Sequence, residues 1–381
     1  MSQVMKRNLL LTEEEIIDLV KRYDTPLLVV VREKLLDNFN AFSRFLPGVG
    51  IFYAVKANPH PEIIKVLHQA GASFDVASHY EIELAYQEGV PPRKMVFANT
   101  IKRKRGLRRA KELGVKLMTY DNREELKKIA RVFPEAELVL RLKTAPTGSR
   151  SNLSYKFGAS PEEALDLLKE ARRAGLRPVG LSFHVGSPCH TISNYLSSLE
   201  MVREILEKAQ KEGINLNLID IGGGFPLQIY AFPDEPLSLE TIGKELSPLL
   251  REFSESGYRI IAEPGRCLVG SACILLTKVI GKARRSDRVW YYLDDGVYGT
   301  FSAILFDKSD FEYFTLKDTS SYREPAVLAG PTCDSIDVIT QDILLPSLEL
   351  DDLIVVPDIG AYSWASATNF NGFEKPKVVL V

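Results

Sequence analysis

Lys56 closes the apolar run FYAVK, residues 52–56, with no polar residue before it. A buried ammonium is costly unless something uses it. Other apolar runs also end on or carry polar residues: Asp75 in SFDVAS, Asn99 in KMVFAN, Arg141 in ELVLRLK, His184 in PVGLSFHVG and Glu263 in RIIAEPG. Taken singly, each has a plain structural explanation, such as a salt-bridge lysine or a satisfied core histidine. The segment DIGGGFP, 220–226, adds Gly222, Gly223 and Gly224 after another apolar run. Three glycines let backbone N–H groups approach an anion closely, although a tight turn alone needs the same residues. The spacing is not a GxGxxG fingerprint, and no acidic residue follows where a dinucleotide needs one. Arg266 in EPGR can grip phosphate oxygens through two N–H groups. An imine-forming lysine, a phosphate cup, a carboxylate and a stacking imidazole together suit pyridoxal phosphate. That cofactor needs a lysine for its aldehyde and an acidic partner for its ring nitrogen.

Such residues must be brought to one face. From about residue 50, eight apolar runs alternate with helical patterns: GIFYAVK, SFDVAS, KMVFAN, VKLMTYD, ELVLRLK, PVGLSFHVG, LNLIDIGGG and RIIAEPG. Segments such as PEEALDLLKEARRAG repeat apolar residues at helical spacing and end on glycine. Eight strands with intervening helices predict a (β/α)8 barrel over residues 25–263, with an open doubly wound sheet as the alternative. In a barrel, ligands sit at the C-terminal strand ends, where these polar residues fall. TPLLVVVREKL precedes the eight runs as an entry segment. After EPGR the chain turns β-rich, so residues 264–381, with 1–24, are expected to form a β-domain. The polar stretch 143–160 follows a barrel strand and is placed as a flap over the site.

The 381 residues suit about two domains. A net charge of −2 leaves no global field for nucleic acid or anionic membrane. The basic stretch IKRKRGLRRAKELG, 101–114, lacks interleaved aromatics and reads as a solvated helix face. No apolar run reaches the ~18 residues of a membrane span. The N-terminal stretch lacks the pattern of a secretory signal. Cys189, Cys267, Cys273 and Cys333 are scattered, without CxxC pairing, so neither a disulfide framework nor a metal site is expected. A reducing cytoplasm is the expected compartment.

The ordered motifs FYAVKAN, FDVASHYEIELA, FANTIK, LRLKT, KFG, SFHVGS, DIGGGFP, AEPGR, YYLDDGVYGTFSAILFD, GPTCDSID and GAYSWASATNFNGF cover nearly the whole chain. In them the sequence resembles the fold type III, alanine-racemase-like pyridoxal-phosphate decarboxylases, in the ornithine decarboxylase branch. The resemblance implies that Lys56 holds the cofactor aldehyde and Glu263 pairs with its ring nitrogen. It implies that His184 stacks on the ring, while Ser187, Gly224, Arg266 and Tyr362 hold the phosphate. Asp75, Glu81 and Arg141 fall at supporting positions. It further implies a homodimer with shared sites. Cys333 would then protonate the substrate α-carbon in the neighbouring subunit, and Asp334 would bind the distal ammonium. Lys156 and Asp337 match an intersubunit pair.

Substrate choice turns on the residues at the pocket end. Asp334 stands where diaminopimelate decarboxylases of the family carry Glu. Asp307 in AILFDKSD supplies a second carboxylate, and Phe370 lines the substrate side. Two aspartates suit one distal ammonium and repel a distal carboxylate. L-Ornithine, giving putrescine for polyamine biosynthesis, is therefore expected first and L-lysine, giving cadaverine, second. Phe306 and Lys308 depart from the Tyr and His of animal ornithine decarboxylases, which argues against strict ornithine specificity. The chain is also expected to lack the long C-terminal tail of some animal relatives. The alternatives are a diaminopimelate decarboxylase, an amino-acid racemase, against which the acidic AEPGR speaks, and a catalytically inactive regulator of polyamine synthesis.

Overall fold

A computed structural model describes residues 9–144, 149–151, 153–227, 237–316 and 322–381. The chain divides into two units, residues 36–268 and residues 1–35 with 269–381. The expected boundaries lay at 24/25 and 263/264. The difference at the first has a clear cause. The strand Leu27–Val30 pairs antiparallel with Cys273–Leu276 and parallel with Lys377–Leu380, so it belongs to the β-unit rather than to the barrel entry. Its four residues are all buried, and such a run has no alternation to say which sheet it joins.

Unit 36–268 is a closed parallel barrel. Its strands are β1 (Gly50–Ala54), β2 (Ser73–Val76), β3 (Met95–Phe97), β4 (Leu117–Tyr120), β5 (Glu137–Arg141), β6 (Arg177–Ser182), β7 (Leu218–Asp220) and β8 (Arg259–Ala262). Seven fall within the eight apolar runs and β6 starts one residue before its own, and the closed barrel is the architecture those runs predict. Helices between the strands start and stop where local chemistry directs. Ser78 caps His79–Gln87 by accepting the Glu81 N–H, and Asn122 caps Arg123–Val132 through Glu125. Gly114 ends Lys104–Leu113 in the left-handed region at φ +85°. That helix is the basic stretch. It buries Gly106, Leu107 and Ala110 and turns Arg109 onto Glu83 and Glu112.

Phe52, Val96, Val139, Val179, Leu218 and Ile261, from six of the strands, pack into one apolar plug inside the barrel. This plug fills the interior, leaving the strand C-termini to polar side chains. Strand register aligns them. Ala54 lies opposite Asp75, while Arg141 and Asp220 both lie opposite Ser182.

Among the described residues, the β-unit is built on a sheet of eight strands. Cys273–Arg285 pairs with Leu353–Pro357 and Arg288–Leu293, which continues to Arg323–Ala329 and Val338–Pro346. The helix Glu13–Tyr23 starts in a capping box of Thr12 and Glu15. It sets Ile16 against Leu27, Val29, Ile274, Leu276 and Val355. No described helix is long and apolar enough to cross a membrane.

Candidate active site

Lys56 lies in a single 3-10 turn, Val55–Ala57, directly after β1. Its ammonium pairs with the Asp75 carboxylate, carried by the neighbouring strand β2. Asp75 is buried, and its Oδ1 has no hydrogen-bond partner among the described residues. Behind it, Glu81 accepts the Ala77 N–H at 2.6 Å. Burial pushes the Glu81 carboxyl up to about 7, with a further push from Asp75. Asn99 closes this side of the mouth, donating to the Ala77 carbonyl at 3.2 Å.

Arg141 ends β5. Burial draws its guanidinium below the ordinary value, opposed by Glu263, Asp121, Asp220 and Asp75. His184 follows β6 and is buried. Its Nδ1 accepts the Gly186 N–H at 3.1 Å, leaving Nε2 to carry the ring proton. Burial, together with Arg141 and Lys56, holds the imidazole well below its ordinary value, so it is neutral at physiological pH. Thr144 steadies this turn by donating to the His184 carbonyl at 3.1 Å.

The glycine segment after β7 presses against that same turn. A Cβ on Gly222 would lie 2.2 Å from the Phe183 carbonyl oxygen, and one on Gly224 2.4 Å from that of Gly186. Both glycines have positive φ, +65° and +96°. Bare backbone is therefore required. Tyr195 donates to the Gly223 carbonyl at 3.0 Å, and the Cys189 N–H to that of Gly224 at 2.8 Å. Ser187 stands beside this segment in a short strand, Ser187–Cys189, paired with Ser149–Ser151. Of the expected flap, residues 145–148 and 152 lie outside the described residues.

Glu263 follows β8, its N–H bonded to the Gly222 carbonyl at 2.7 Å. Its carboxyl is pushed well above the ordinary range by burial, and then by Asp220 and Asp75. Asp220 is pushed up to about 7, again chiefly by burial. Arg266 is buried three residues on. The barrel mouth thus collects Lys56, Asp75, Glu81, Arg141, His184, Ser187, Gly222–Gly224, Glu263 and Arg266. It adds Asp220, which sequence reasoning passed over although it stands two residues before the first of the glycines.

The remaining expected residues, apart from Lys156 of the barrel unit, lie in the β-unit. Cys333 and Asp334 occupy an exposed turn after Arg323–Ala329. Asp334 Oδ2 accepts the Tyr298 hydroxyl at 2.6 Å, which holds its carboxyl below the ordinary range and raises the phenol to about 12. Phe370 stacks on Tyr298 with centroids 4.2 Å apart. Asp307 accepts the Ser309 hydroxyl at 2.8 Å. Tyr362 sits at φ +57° before Ser363. Asp337 is buried and ties its own loop to that of Val297, accepting from the Val297 N–H at 2.8 Å and from Thr332 N–H and O–H at 3.0 and 2.6 Å. Lys156 is exposed, 4.9 Å from the Phe157 ring centroid. All four cysteines are free thiols.

The barrel residues fit pyridoxal phosphate on their own chemistry. A lysine amine stands at the mouth, a buried carboxylate oxygen lacks a hydrogen-bond partner among the described residues, and side-chain-free backbone forms a cradle beside Arg266.

Residues 32–270 match the family model of the pyridoxal-dependent decarboxylase pyridoxal-binding domain. A lysine/ornithine decarboxylase of Selenomonas ruminantium is 38% identical over 369 residues, 96% of this chain and 92% of that protein. A solved lysine/ornithine decarboxylase from Vibrio vulnificus, complexed with putrescine, has a TM-score of 0.88 at 35% identity, covering 97% of this chain and 99% of that one. Antizyme inhibitor 2 of Xenopus laevis is 37% identical over 353 residues, 88% of this chain and 76% of that protein. With its lysine, glycine cradle and glutamate at the mouth of a closed barrel, this chain belongs to the pyridoxal-dependent decarboxylase family.

Proposed function

We propose that this protein decarboxylates L-ornithine to putrescine and CO2 in polyamine biosynthesis, and takes L-lysine, giving cadaverine, as a second substrate. One observation carries the substrate class. The Tyr298 hydroxyl donates to the Asp334 carboxylate and holds it in place, a fixed negative charge for a distal ammonium. Asp307 is the second carboxylate in this reading. Together they repel the distal carboxylate of diaminopimelate. The relatives named lysine/ornithine decarboxylase support both substrates, which differ by one methylene and only ~1–3 kcal/mol of discrimination.

When bound, pyridoxal phosphate supplies an aldehyde for the substrate amine and a ring that accepts the electron pair left when CO2 departs. Lys56 would hold that aldehyde, and Asp75 keeps the amine at the mouth. Ser187, Gly222, Gly223, Gly224, Arg266 and Tyr362 would hold the phosphate. Glu263 would face the ring nitrogen, with Arg141 and Asp220 setting its charge. His184 offers a neutral flat surface. Cys333 would give its thiol proton to the substrate α-carbon, and Phe370 would line the substrate side.

CO2 release from ornithine, lysine, arginine and meso-diaminopimelate, measured side by side, tests the reading. Ornithine should lead, with lysine second; preference for diaminopimelate overturns it. Lys56→Ala should lose both turnover and the visible absorbance of bound cofactor.

The reading includes a homodimer in which the Cys333–Asp334 turn serves the neighbouring subunit's barrel. Asp337 spends three of about four acceptor sites on Val297 and Thr332, leaving one for Lys156 of the neighbouring subunit. Mixing inactive Lys56→Ala and Cys333→Ala proteins should restore part of the activity. The four free thiols support a cytoplasmic location.

A further inference from the structure

Asn371 meets Cys333 twice. Its Oδ1 accepts the Cys333 N–H at 3.1 Å and the Cys333 thiol at 3.3 Å. A backbone N–H can only donate, so the oxygen of the amide must face it. That same oxygen can receive the thiol only when the thiol carries its proton. Asn371 holds a left-handed backbone, φ 55° and ψ 13°, a region that asparagine tolerates better than most residues. Its neighbour Phe370 stacks on Tyr298, the residue that holds Asp334. The segment is fastened at its start as well, since Thr368 donates N–H and O–H to the Tyr298 carbonyl at 2.8 and 3.1 Å. Two consecutive residues, Phe370 and Asn371, thus reach the two consecutive residues Asp334 and Cys333, one through Tyr298 and one directly.

We propose that Asn371 is the positioning residue for the proton-donating thiol of Cys333, and that Phe370 and Asn371 act as one clamp on the turn that reads and protonates the substrate. This rests on Cys333 being the proton donor. In that step the bond from Cα to the carboxylate carbon breaks, its electron pair stays on the Cα side, and a C–H bond forms with the Sγ proton. The thiolate left behind takes a proton from water before the next turnover. A thiol oriented by Asn371 delivers its proton to one carbon, so each CO2 released is matched by one amine.

Asn371→Gly deletes the amide and keeps a residue at ease with positive φ, so the backbone is retained. In the holoenzyme this variant should release more CO2 than amine. Its Cys333 should also react with iodoacetamide about 2- to 10-fold faster, the effect of losing one hydrogen bond. Peptide mass mapping assigns the label, Cys333 being the exposed one of the four cysteines. Asn371→Asp keeps the acceptor and adds a charge, so labelling should slow and move to higher pH. An amine-to-CO2 ratio of one in Asn371→Gly, with labelling unchanged, overturns the proposal. The donor reading fails separately, if Cys333→Ala itself gives a ratio of one.

Discussion

Lys102 Nζ lies 3.2 Å from the Glu125 carboxylate, and neither side chain meets solvent. The ammonium also donates to the Thr119 carbonyl at 2.6 Å and the Asn99 carbonyl at 2.9 Å. These acceptors follow β3 and end β4, strands joined in register at only Phe97 and Met118. Lys102 therefore ties together two strand ends that the ladder joins weakly. Burial draws its amine down to about 8, against the pull of Glu125.

Removing either partner leaves the other's charge buried, at a typical cost of about 3–5 kcal/mol. The two variants should differ. Lys128 also pairs with Glu125, at 2.5 Å, so Lys102→Met leaves that carboxylate partly neutralised. Glu125→Leu leaves the Lys102 ammonium its carbonyls and the Phe97 ring but no paired carboxylate, and should be the more destabilised protein. Urea unfolding of the two variants gives the order.

Gly224→Ala adds a methyl 2.4 Å from the Gly186 carbonyl oxygen on a backbone at φ +96°. Overpacking of this kind costs roughly 1–3 kcal/mol. The strain falls on the cradle, so the cofactor's Kd should rise at least about tenfold. Titration of cofactor-stripped protein with pyridoxal phosphate, followed by absorbance, measures it.

Glu81 titrates at about 7 in the folded chain, raised from an ordinary 4.5. The folded state then binds more protons than the unfolded state between those values. The stability it contributes is complete below pH 4.5 and is lost as pH rises through about 7, up to about 3 kcal/mol in all. Wild type should therefore lose Tm relative to Glu81→Gln between pH 5 and pH 8. Thermal unfolding across that range tests the sign.

Asp334→Asn removes the charge proposed for the distal ammonium, and kcat/KM for ornithine should fall roughly 30-fold or more. Tyr298→Phe should act the same way but more weakly, about tenfold, because it removes a hydrogen bond to that charge. The loss should appear mainly in KM. Steady-state kinetics on ornithine and lysine separate KM from kcat.

The barrel was legible because each strand is a short apolar run and the helices between them carry strong period and caps. The polar strand ends were legible for the same reason: Lys56, Asp75, Arg141 and Glu263 interrupt or close those runs. What escaped were partnerships across sequence distance. Lys102 and Glu125 are 23 residues apart on elements whose packing no local pattern encodes. Asn371 and Tyr298 looked like part of loop motifs, and only the folded β-unit brings them to Cys333 and Asp334. Asp220 was hidden by the glycines it precedes. The strand Leu27–Val30 was misplaced because uniform burial leaves no pattern by which to choose a sheet.

That strand has a consequence for biosynthesis. It is translated before the barrel, yet its parallel neighbour, Lys377–Leu380, is translated after it. Residues 36–268 can close their barrel while synthesis continues, since domains generally fold as units during translation. The β-unit cannot complete its sheet until the strand Lys377–Leu380 is made, so the turn carrying Cys333 and Asp334 matures after the barrel.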